Sequence, residues 1–219
     1  MMRGLVRNNF YSVGSTLKWT IVFCAVVNIF VAIGGIVYPD LIELLPMLMV
    51  GQVGAFVGLV GTALQKDNAS KWSKYEKTLP VKACEIVRAR YISFIMFSAI
   101  GIIFGSISVF ILAVVGEAPL NLERLGFGYS FGITFALLVP SLIYPLILKF
   151  GPDKSEMLTL VSVLATVALF TGGSGLLSPY LKDLNNANTI YRVSCIAISI
   201  IVFIASYCIS LAIYKRRES

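Results

Sequence analysis

Histidine is absent from this chain, and charged residues are scarce. The 219 residues include no His, 4 Cys and only 13% Asp, Glu, Lys and Arg. A histidine proton relay and a zinc site of the His-Glu-x-x-His type both need imidazole, so both are excluded. No Gly-x-x-x-x-Gly-Lys-Ser/Thr phosphate loop occurs, which excludes ATP binding by that route. The sequence thus contains no recognisable energy source of its own.

The cysteines and serines show no sign of a reactive centre. Cys24, Cys84, Cys195 and Cys208 lack metal-ligand spacing. Serines inside apolar segments, such as Ser106, have no histidine or lysine beside them to act as a base, and such serines commonly bond a carbonyl of their own helix. We therefore expect no enzymatic activity, no catalytic residue, no metal and no cofactor on this chain.

Long apolar runs take the place of reactive groups. Hydrophobic residues make up 58% of the chain and the mean hydropathy is +0.86, far from a soluble domain. Runs of about 20 residues match the roughly 30 Å of hydrocarbon in a bilayer, and the ten-residue alternation of a β-barrel is missing. Six transmembrane helices with uncharged interiors are predicted: Trp19–Tyr38, Leu44–Leu64, Tyr91–Val115, Leu125–Leu148, Met157–Leu177 and Ile190–Tyr214.

The basic residues predict the orientation of these spans. With the amino terminus inside, only Arg124, Lys182 and Arg192 of the 18 basic residues fall outside. Such an asymmetry is the usual sign of the cytoplasmic side, and it explains the net charge of +7 better than nucleic-acid binding does. Both termini are therefore predicted to be cytoplasmic, in a multi-pass membrane protein with no nucleic-acid partner.

The chain divides into five predicted parts. An interfacial helix, 1–18, carries one apolar stripe of Val6, Phe10, Val13 and Leu17, while Arg3, Arg7, Asn8 and Asn9 occupy its other faces. It is either a simple anchor or an elbow that touches a cytosolic partner. The other parts are spans 19–64, a cytosolic segment 65–90, spans 91–214 with a short outer element near 172–189, and a basic tail 215–219.

Glycine patterns suggest helix packing in some places and a break in another. Gly51, Gly54, Gly58 and Gly61 form one seam of the second span, and Gly101-x-x-x-Gly105 and Gly128-x-x-x-Gly132 repeat the device on the third and fourth. These faces could meet within one subunit or between subunits. The Gly172-Gly173-Ser174-Gly175 cluster predicts that the fifth span ends early, before a re-entrant helix, an interfacial helix or a plain loop.

The segment 65–90 is predicted to form two short cytosolic helices. Asp67 or Asn68 could cap the first, and Pro80 would stop it. Aromatic and basic side chains would then form an apolar anchor ringed by positive charge, made of Trp72, Tyr75, Leu79, Lys71, Lys74 and Lys77. Such a surface suits docking into a groove with acidic rims, or resting on anionic lipid.

At this segment the sequence resembles a known family. The run Ser70-Lys71-Trp72-x-x-Tyr75-x-x-x-Leu79-Pro80-Val81, followed by Glu85-Ile86-Val87-x-x-Arg90-Tyr91, is similar to the first cytosolic loop of ABC-2 type permeases. These are membrane subunits of ATP-binding cassette exporters of the type II fold. Within the family, the chain resembles small permeases of Gram-positive bacteria that export amphipathic peptides such as phenol-soluble modulins.

The resemblance implies a function, partners and sites. It implies export of an amphipathic peptide or lipid-like substrate by a permease that pairs with a second permease copy or a homologous permease in the lipid bilayer. ATP and Mg would be held by a separate ATPase subunit. The coupling residues would be Lys71, Trp72, Lys74, Tyr75, Leu79, Pro80, Val81 and, between the fourth and fifth spans, Asp153. The candidate substrate path has Asn28, Gln52, Thr134 and Ser141, which could equally be interhelical hydrogen-bonding groups. A self-contained channel or an assembly scaffold is the alternative.

Overall fold

The chain folds into seven α-helices in a computed structural model that describes residues 2–38, 43–70, 82–115, 122–151, 154–181 and 187–218. The helices are α1 Met2–Ser12, α2 Gly14–Val37, α3 Leu45–Ala69, α4 Ala83–Val115, α5 Leu122–Phe150, α6 Ser155–Leu181 and α7 Ala187–Glu218. Helices α2 to α7 are each long and apolar enough to cross a membrane. The predicted all-α fold with six spans is therefore confirmed.

Helices α3 and α5 occupy the centre of the bundle. In their most apolar stretches 56% and 61% of the residues are buried, against 17 to 22% for α2, α6 and α7. α3 packs against α4 and α5, and α5 packs also against α6 and α7. The peripheral helices expose large apolar side chains such as Phe30 and Ile201. An outer surface of this kind suits contact with lipid rather than water.

Glycines allow α3 to approach α4 and α5 closely. A Cβ on Gly101 of α4 would lie 3.0 Å from Cα of Val53, and one on Gly128 of α5 would lie 3.2 Å from Cα of Pro46. A side chain at either position would collide with the backbone of α3. By contrast, in the described part of the chain no atom outside its own helix lies within 4 Å of a Cβ built on Gly58. The glycine pairs of α4 and α5 therefore serve packing within one subunit.

Two prolines inside α5 leave backbone carbonyls without their usual partners. Pro140 and Pro145 have no N–H, so the carbonyls four residues earlier lose their helical hydrogen bonds. Ser98 of α4 donates its hydroxyl to the carbonyl of Ala136 at 3.2 Å, and Ser206 of α7 donates to the carbonyl of residue 141 at 2.5 Å. Hydroxyls of neighbouring helices thus satisfy both freed carbonyls, as hydrocarbon requires.

This pairing predicts that the effect of Ser98→Ala depends on Pro140. The substitution should lower the free energy of unfolding by about 1 kcal/mol because it leaves a buried carbonyl unsatisfied. In a Pro140→Ala background the helix regains its own amide donor, so the same change should cost little. Thermal unfolding of the two single variants and the double variant in detergent measures the difference. Ser199→Ala is the control, because Ser199 bonds a carbonyl in its own uninterrupted helix.

Two helix boundaries beside the predicted cytosolic segment differ from expectation. α3 continues to Ala69, so Asp67 lies in its last turn and does not cap a separate short helix. α4 begins at Ala83, so most of the predicted second short helix is the start of the third span. Neither stretch contains proline or glycine, and extending an existing helix costs far less than nucleating a new one. The predicted pair of short helices is wrong at both ends.

The predicted early end of the fifth span is also wrong. α6 runs through Gly172-Gly173-Ser174-Gly175 to Leu181 without interruption. Each glycine costs a helix about 1 kcal/mol relative to alanine. An opened turn in hydrocarbon would leave several backbone groups unsatisfied at several kcal/mol each. Continuing the helix is therefore the less costly choice.

Polar contacts mark the two ends of the bundle. At one end Nζ of Lys66 donates to Oγ1 of Thr16 at 3.0 Å, which joins the end of α3 to the start of α2. At the other end Arg124 pairs with Glu43 at 3.1 Å, which joins the start of α5 to residues just before α3. We call the first the basic end, because it carries α1 and most of the described Lys and Arg residues.

Candidate functional site

The candidate site lies at the basic end, where α3 ends and α4 begins. These two helix ends flank residues 71–81, which carry most of the predicted coupling residues. The following predicted residues lie outside the described part of the chain: Lys71, Trp72, Lys74, Tyr75, Leu79, Pro80, Val81 and Asp153. Their roles stay predictions. The structure shows how the helices on either side of them are held.

A buried ion pair joins the two helix ends. Nη1 of Arg90, in the second turn of α4, donates to Oδ2 of Asp67, in the last turn of α3. The side chain of Arg90 is 7% exposed and that of Asp67 is 9% exposed. A charge this deeply buried is costly unless it is paired and hydrogen-bonded. Separation of the two helix ends would therefore be energetically costly.

An asparagine from α1 completes this cluster. Nη1 of Arg90 also donates to Oδ1 of Asn9 at 2.7 Å, and Nδ2 of Asn9 donates to Oγ of Ser93 at 2.9 Å. Ser93 in turn donates to the carbonyl of Ala89 at 2.9 Å. The amide of Asn9 thus bonds through both its oxygen and its nitrogen. We call Asn9, Asp67, Arg90 and Ser93 the stem cluster, since it fastens α1 to both stems of segment 71–81.

Further bonds tie the end of α3 to two other spans. Besides the bond from Lys66 to the start of α2, Nε2 of Gln65 donates to Oε1 of Glu156 at 3.2 Å. Glu156 lies in the first turn of α6, three residues after Asp153 in the sequence. The last turns of α3 therefore contact α2, α4 and α6 as well as bonding α1 through Arg90. A displacement of this helix end would be felt by all of these helices.

The electrostatics of the stem cluster suit mechanical attachment. It contains one positive charge, one negative charge and two neutral side chains that can both donate and accept. The guanidinium presents its hydrogens in a fixed fork, which makes the geometry of its bonds specific as well as strong. Within the described residues, no group of three or more Cys, Asp or Glu side chains is placed to hold a metal ion. The cluster therefore positions helices.

The residues predicted to form an interfacial helix lie on two helices. Val13 separates α1 from α2, so Val6 and Phe10 belong to α1 and Leu17 belongs to α2. This corrects the predicted boundary, which placed 1–18 in one helix. Val13 is fully buried, Phe10 and Leu17 pack partly against the main core, and Val6 packs beside Leu5. α1 as a whole packs against α4 and the end of α3.

The four residues predicted for a substrate path do not meet in one place. Nε2 of Gln52 donates to Oγ of Ser108 at 2.6 Å, and Ser108 donates to Oδ1 of Asn28 at 2.6 Å, so Asn28 and Gln52 join α2, α3 and α4. Ser141 donates to the carbonyl of Leu137 in its own helix. Asn28 and Gln52 therefore hold helices together in this subunit, whereas the hydroxyl of Ser141 bonds only within its own helix.

The fourth residue, Thr134, lines a cavity between α5, α6 and α7. The cavity has a volume of about 310 Å³, and apart from Thr134 and the phenol of Tyr191 its walls are mostly apolar, with contributions from Leu138, Leu169 and Phe170. Among the described residues, Oγ1 of Thr134 has no hydrogen-bond partner although the residue is 2% exposed. The hydroxyl oxygen is itself buried, so the cavity offers a ligand mostly apolar walls, which suits a largely apolar molecule.

Comparison with known families identifies the chain as a whole. The model of a family described as ABC-2 family transporter protein matches residues 4–215. The chain belongs to this family. No curated protein and no solved structure matches it significantly.

Membership in the ABC-2 family confirms the resemblance read from the segment around Trp72. The match runs from α1 to the last turns of α7, so all seven helices belong to the conserved unit of the family. The chain is thus a multi-pass ABC-2 transporter protein of the bacterial cell membrane. The narrower likeness to exporters of amphipathic peptides stays a prediction.

The stem cluster of this ABC-2 protein was not predicted from the sequence. Asn9 was predicted on the polar face of the first helix and Asp67 at a helix cap, whereas both are buried against Arg90. A signal was present, because Leu5, Asn9 and Val13 are spaced by four and share one helical face. The better-populated stripe of Val6 and Phe10 hid this second face.

Proposed function

We propose that this chain is the transmembrane subunit of an ATP-driven exporter. It moves an amphipathic or hydrophobic substrate, with a peptide favoured, and receives energy from a separate ATPase subunit that holds ATP and Mg. A second copy or a homologous permease completes the transporter. The observation that supports this proposal best is the stem cluster, which fastens both stems of segment 71–81 to α1.

The argument from the stem cluster is mechanical. A loop that only connected two spans would not need a buried ion pair at its base, since short connections form without one. Segment 71–81 carries the predicted docking surface, of which Trp72 is the largest side chain. A force applied there by a partner would reach α3 and α4 through their rigid ends, and α1 through Asn9. The arrangement suits a handle by which an ATPase moves the membrane helices.

The apolar character of the cavity and of the span interiors supports an amphipathic or hydrophobic substrate. The cavity beside Thr134 combines apolar walls with few polar groups, and no predicted span has Asp, Glu, Lys or Arg in its interior. An ion would need a polar or charged ring along its path. A peptide with one apolar face, or a lipid-like molecule, fits such surroundings better.

Trp72→Ala is expected to uncouple the exporter while leaving it in the membrane. Removal of a large aromatic anchor commonly costs an interface 2 kcal/mol or more, which weakens binding about thirtyfold. If an ATPase gene adjoins the permease gene, the two proteins should be co-purified and reconstituted in liposomes. Stimulation of ATP hydrolysis by the permease should fall by about tenfold or more. Trp19→Ala is the matched control, since Trp19 is the other tryptophan and is exposed on α2.

Three results would contradict this interpretation. Normal stimulation of ATP hydrolysis by the Trp72→Ala variant would remove the coupling role of the segment. Movement of a small hydrophilic ion by vesicles that contain the permease alone, without ATP, would favour a self-contained channel. If no ATPase gene adjoins the permease gene, a self-contained channel or an assembly scaffold would be favoured.

A further inference from the structure

A groove separates α1 from the start of α4 on the outside of the bundle. Its volume is about 440 Å³, and its lining is almost wholly apolar apart from two arginines. Val6 and Phe10 of α1 face Ile92 and Met96 of α4 across it, and Arg3 and Arg7 stand at its rim. Both arginines are exposed. A strip of positive charge therefore borders an apolar trough.

The α4 residues that line the groove lie further along that helix than Arg90 of the stem cluster. Ile92 and Met96 follow Arg90 by two and six residues, which places them about 3 and 9 Å further along the helix. Met96 and its neighbour Ile95 are exposed to the surroundings of the bundle. The trough thus runs from the basic end towards the apolar belt. The excess of basic residues at this end predicts that the arginines lie at the level of lipid headgroups and that the far end of the trough lies at the level of acyl chains.

We propose that this groove binds one anionic phospholipid. The phosphate lies between Arg3 and Arg7, whose guanidinium forks match phosphate geometry, and one acyl chain lies along Val6, Phe10, Ile92 and Met96. Arg7 is already oriented, since its Nη2 donates to the hydroxyl of Tyr11 at 3.3 Å and its guanidinium lies 5.4 Å from the centre of that ring. Little side-chain entropy is then lost when the headgroup binds.

The depth of the trough favours a lipid over a protein partner. A water-soluble partner with an acidic surface could reach Arg3 and Arg7, but it could not fill the trough beside Met96 without entering the hydrocarbon. A free phosphate would leave the apolar lining unused. A phospholipid provides both the charge and the chain, and it is present at this depth in every membrane. This site goes beyond the export function and does not depend on it.

Native mass spectrometry of the delipidated permease in neutral detergent can test the site. We expect one phosphatidylglycerol to bind in preference to phosphatidylcholine with the same chains. The double variant Arg3→Gln, Arg7→Gln should weaken phosphatidylglycerol binding about thirtyfold, at about 1 kcal/mol for each arginine. The matched control, Lys149→Gln with Lys154→Gln, removes the same charge elsewhere at the basic end and should leave binding within twofold.

A second variant separates the trough from the charge. Met96→Trp keeps both arginines and fills the apolar end, so it should weaken phosphatidylglycerol and phosphatidylcholine alike by about tenfold. Glycerol 3-phosphate, which has a headgroup and no chain, should not displace the lipid at millimolar concentration. Equal loss in the lysine control, or unchanged binding in the arginine variant, would overturn the proposal. Displacement by glycerol 3-phosphate would instead assign the arginines to a free phosphate. Loss of ATPase binding with unchanged lipid binding would assign them to a protein.

Discussion

Asp67→Leu should be among the most destabilising single substitutions in this protein. It removes the carboxylate of Asp67 from the buried guanidinium of Arg90, and breaking a buried pair in this way costs about 3 to 5 kcal/mol. The bond from Arg90 to Asn9 cannot replace a full negative charge. Thermal unfolding in detergent should show a midpoint well below that of the parent protein, and α1 should become more accessible to protease because Arg90, to which Asn9 bonds, is no longer held by Asp67.

Two further variants distinguish loss of a pair from loss of a single side chain. The double variant Asp67→Leu, Arg90→Leu removes both charges and should recover most of the stability, since well-packed apolar residues often replace a buried pair without penalty. Glu43→Leu is the matched control, because the Arg124 and Glu43 side chains are 45% and 62% exposed and such a pair contributes less than about 1 kcal/mol. Equal losses at the two sites would show that burial of the stem cluster does not matter in the membrane.

The six spans could be predicted from sequence because membrane thickness imposes a length that composition reveals directly. Helix ends were less predictable, since a helix leaves the hydrocarbon without any change in its backbone. α4 extends eight residues before Tyr91, through a stretch with three charged residues, Glu85, Arg88 and Arg90, that is typical of a cytosolic loop. The way in which α5 accommodates its prolines could not be predicted either, because the hydroxyls that bond the freed carbonyls come from Ser98 and Ser206 on other helices.

Only one part of the candidate site, the segment that contains a sequence motif, could be predicted from the sequence. The run around Trp72 pointed to the right family, since its aromatic and proline spacing is specific. The stem cluster joins residues 9, 67, 90 and 93, and its members are brought together only by tertiary packing. Single-helix periodicity cannot report such a contact. A charge that falls just outside an apolar run, as Arg90 does, is the one local hint that a span end is buried and paired.

Gly101→Leu should disrupt the contact between α3 and α4. A Cβ there would lie 3.0 Å from Cα and 3.3 Å from the carbonyl oxygen of Val53, and 3.2 Å from Cβ of Phe56. Backbone atoms cannot rotate away, so the two helices must separate. Overpacking usually costs about 1 to 3 kcal/mol, and a four-carbon side chain against backbone belongs at the upper end. The unfolding midpoint should fall, and less folded protein should be recovered from the membrane.

Gly58→Leu is the control that gives this result its meaning. Gly58 lies on α3 and is exposed, and among the residues that the structure describes no atom outside its own helix lies within 4 Å of an added Cβ. Leucine there should therefore be neutral or slightly stabilising through its higher helix propensity. Both variants add a leucine side chain, one on α4 and one on α3, and they differ in the space available to that side chain. A similar loss at both positions would mean that the open side of α3 is covered by another subunit, and the glycine seam of α3 would then lie at an interface between permeases.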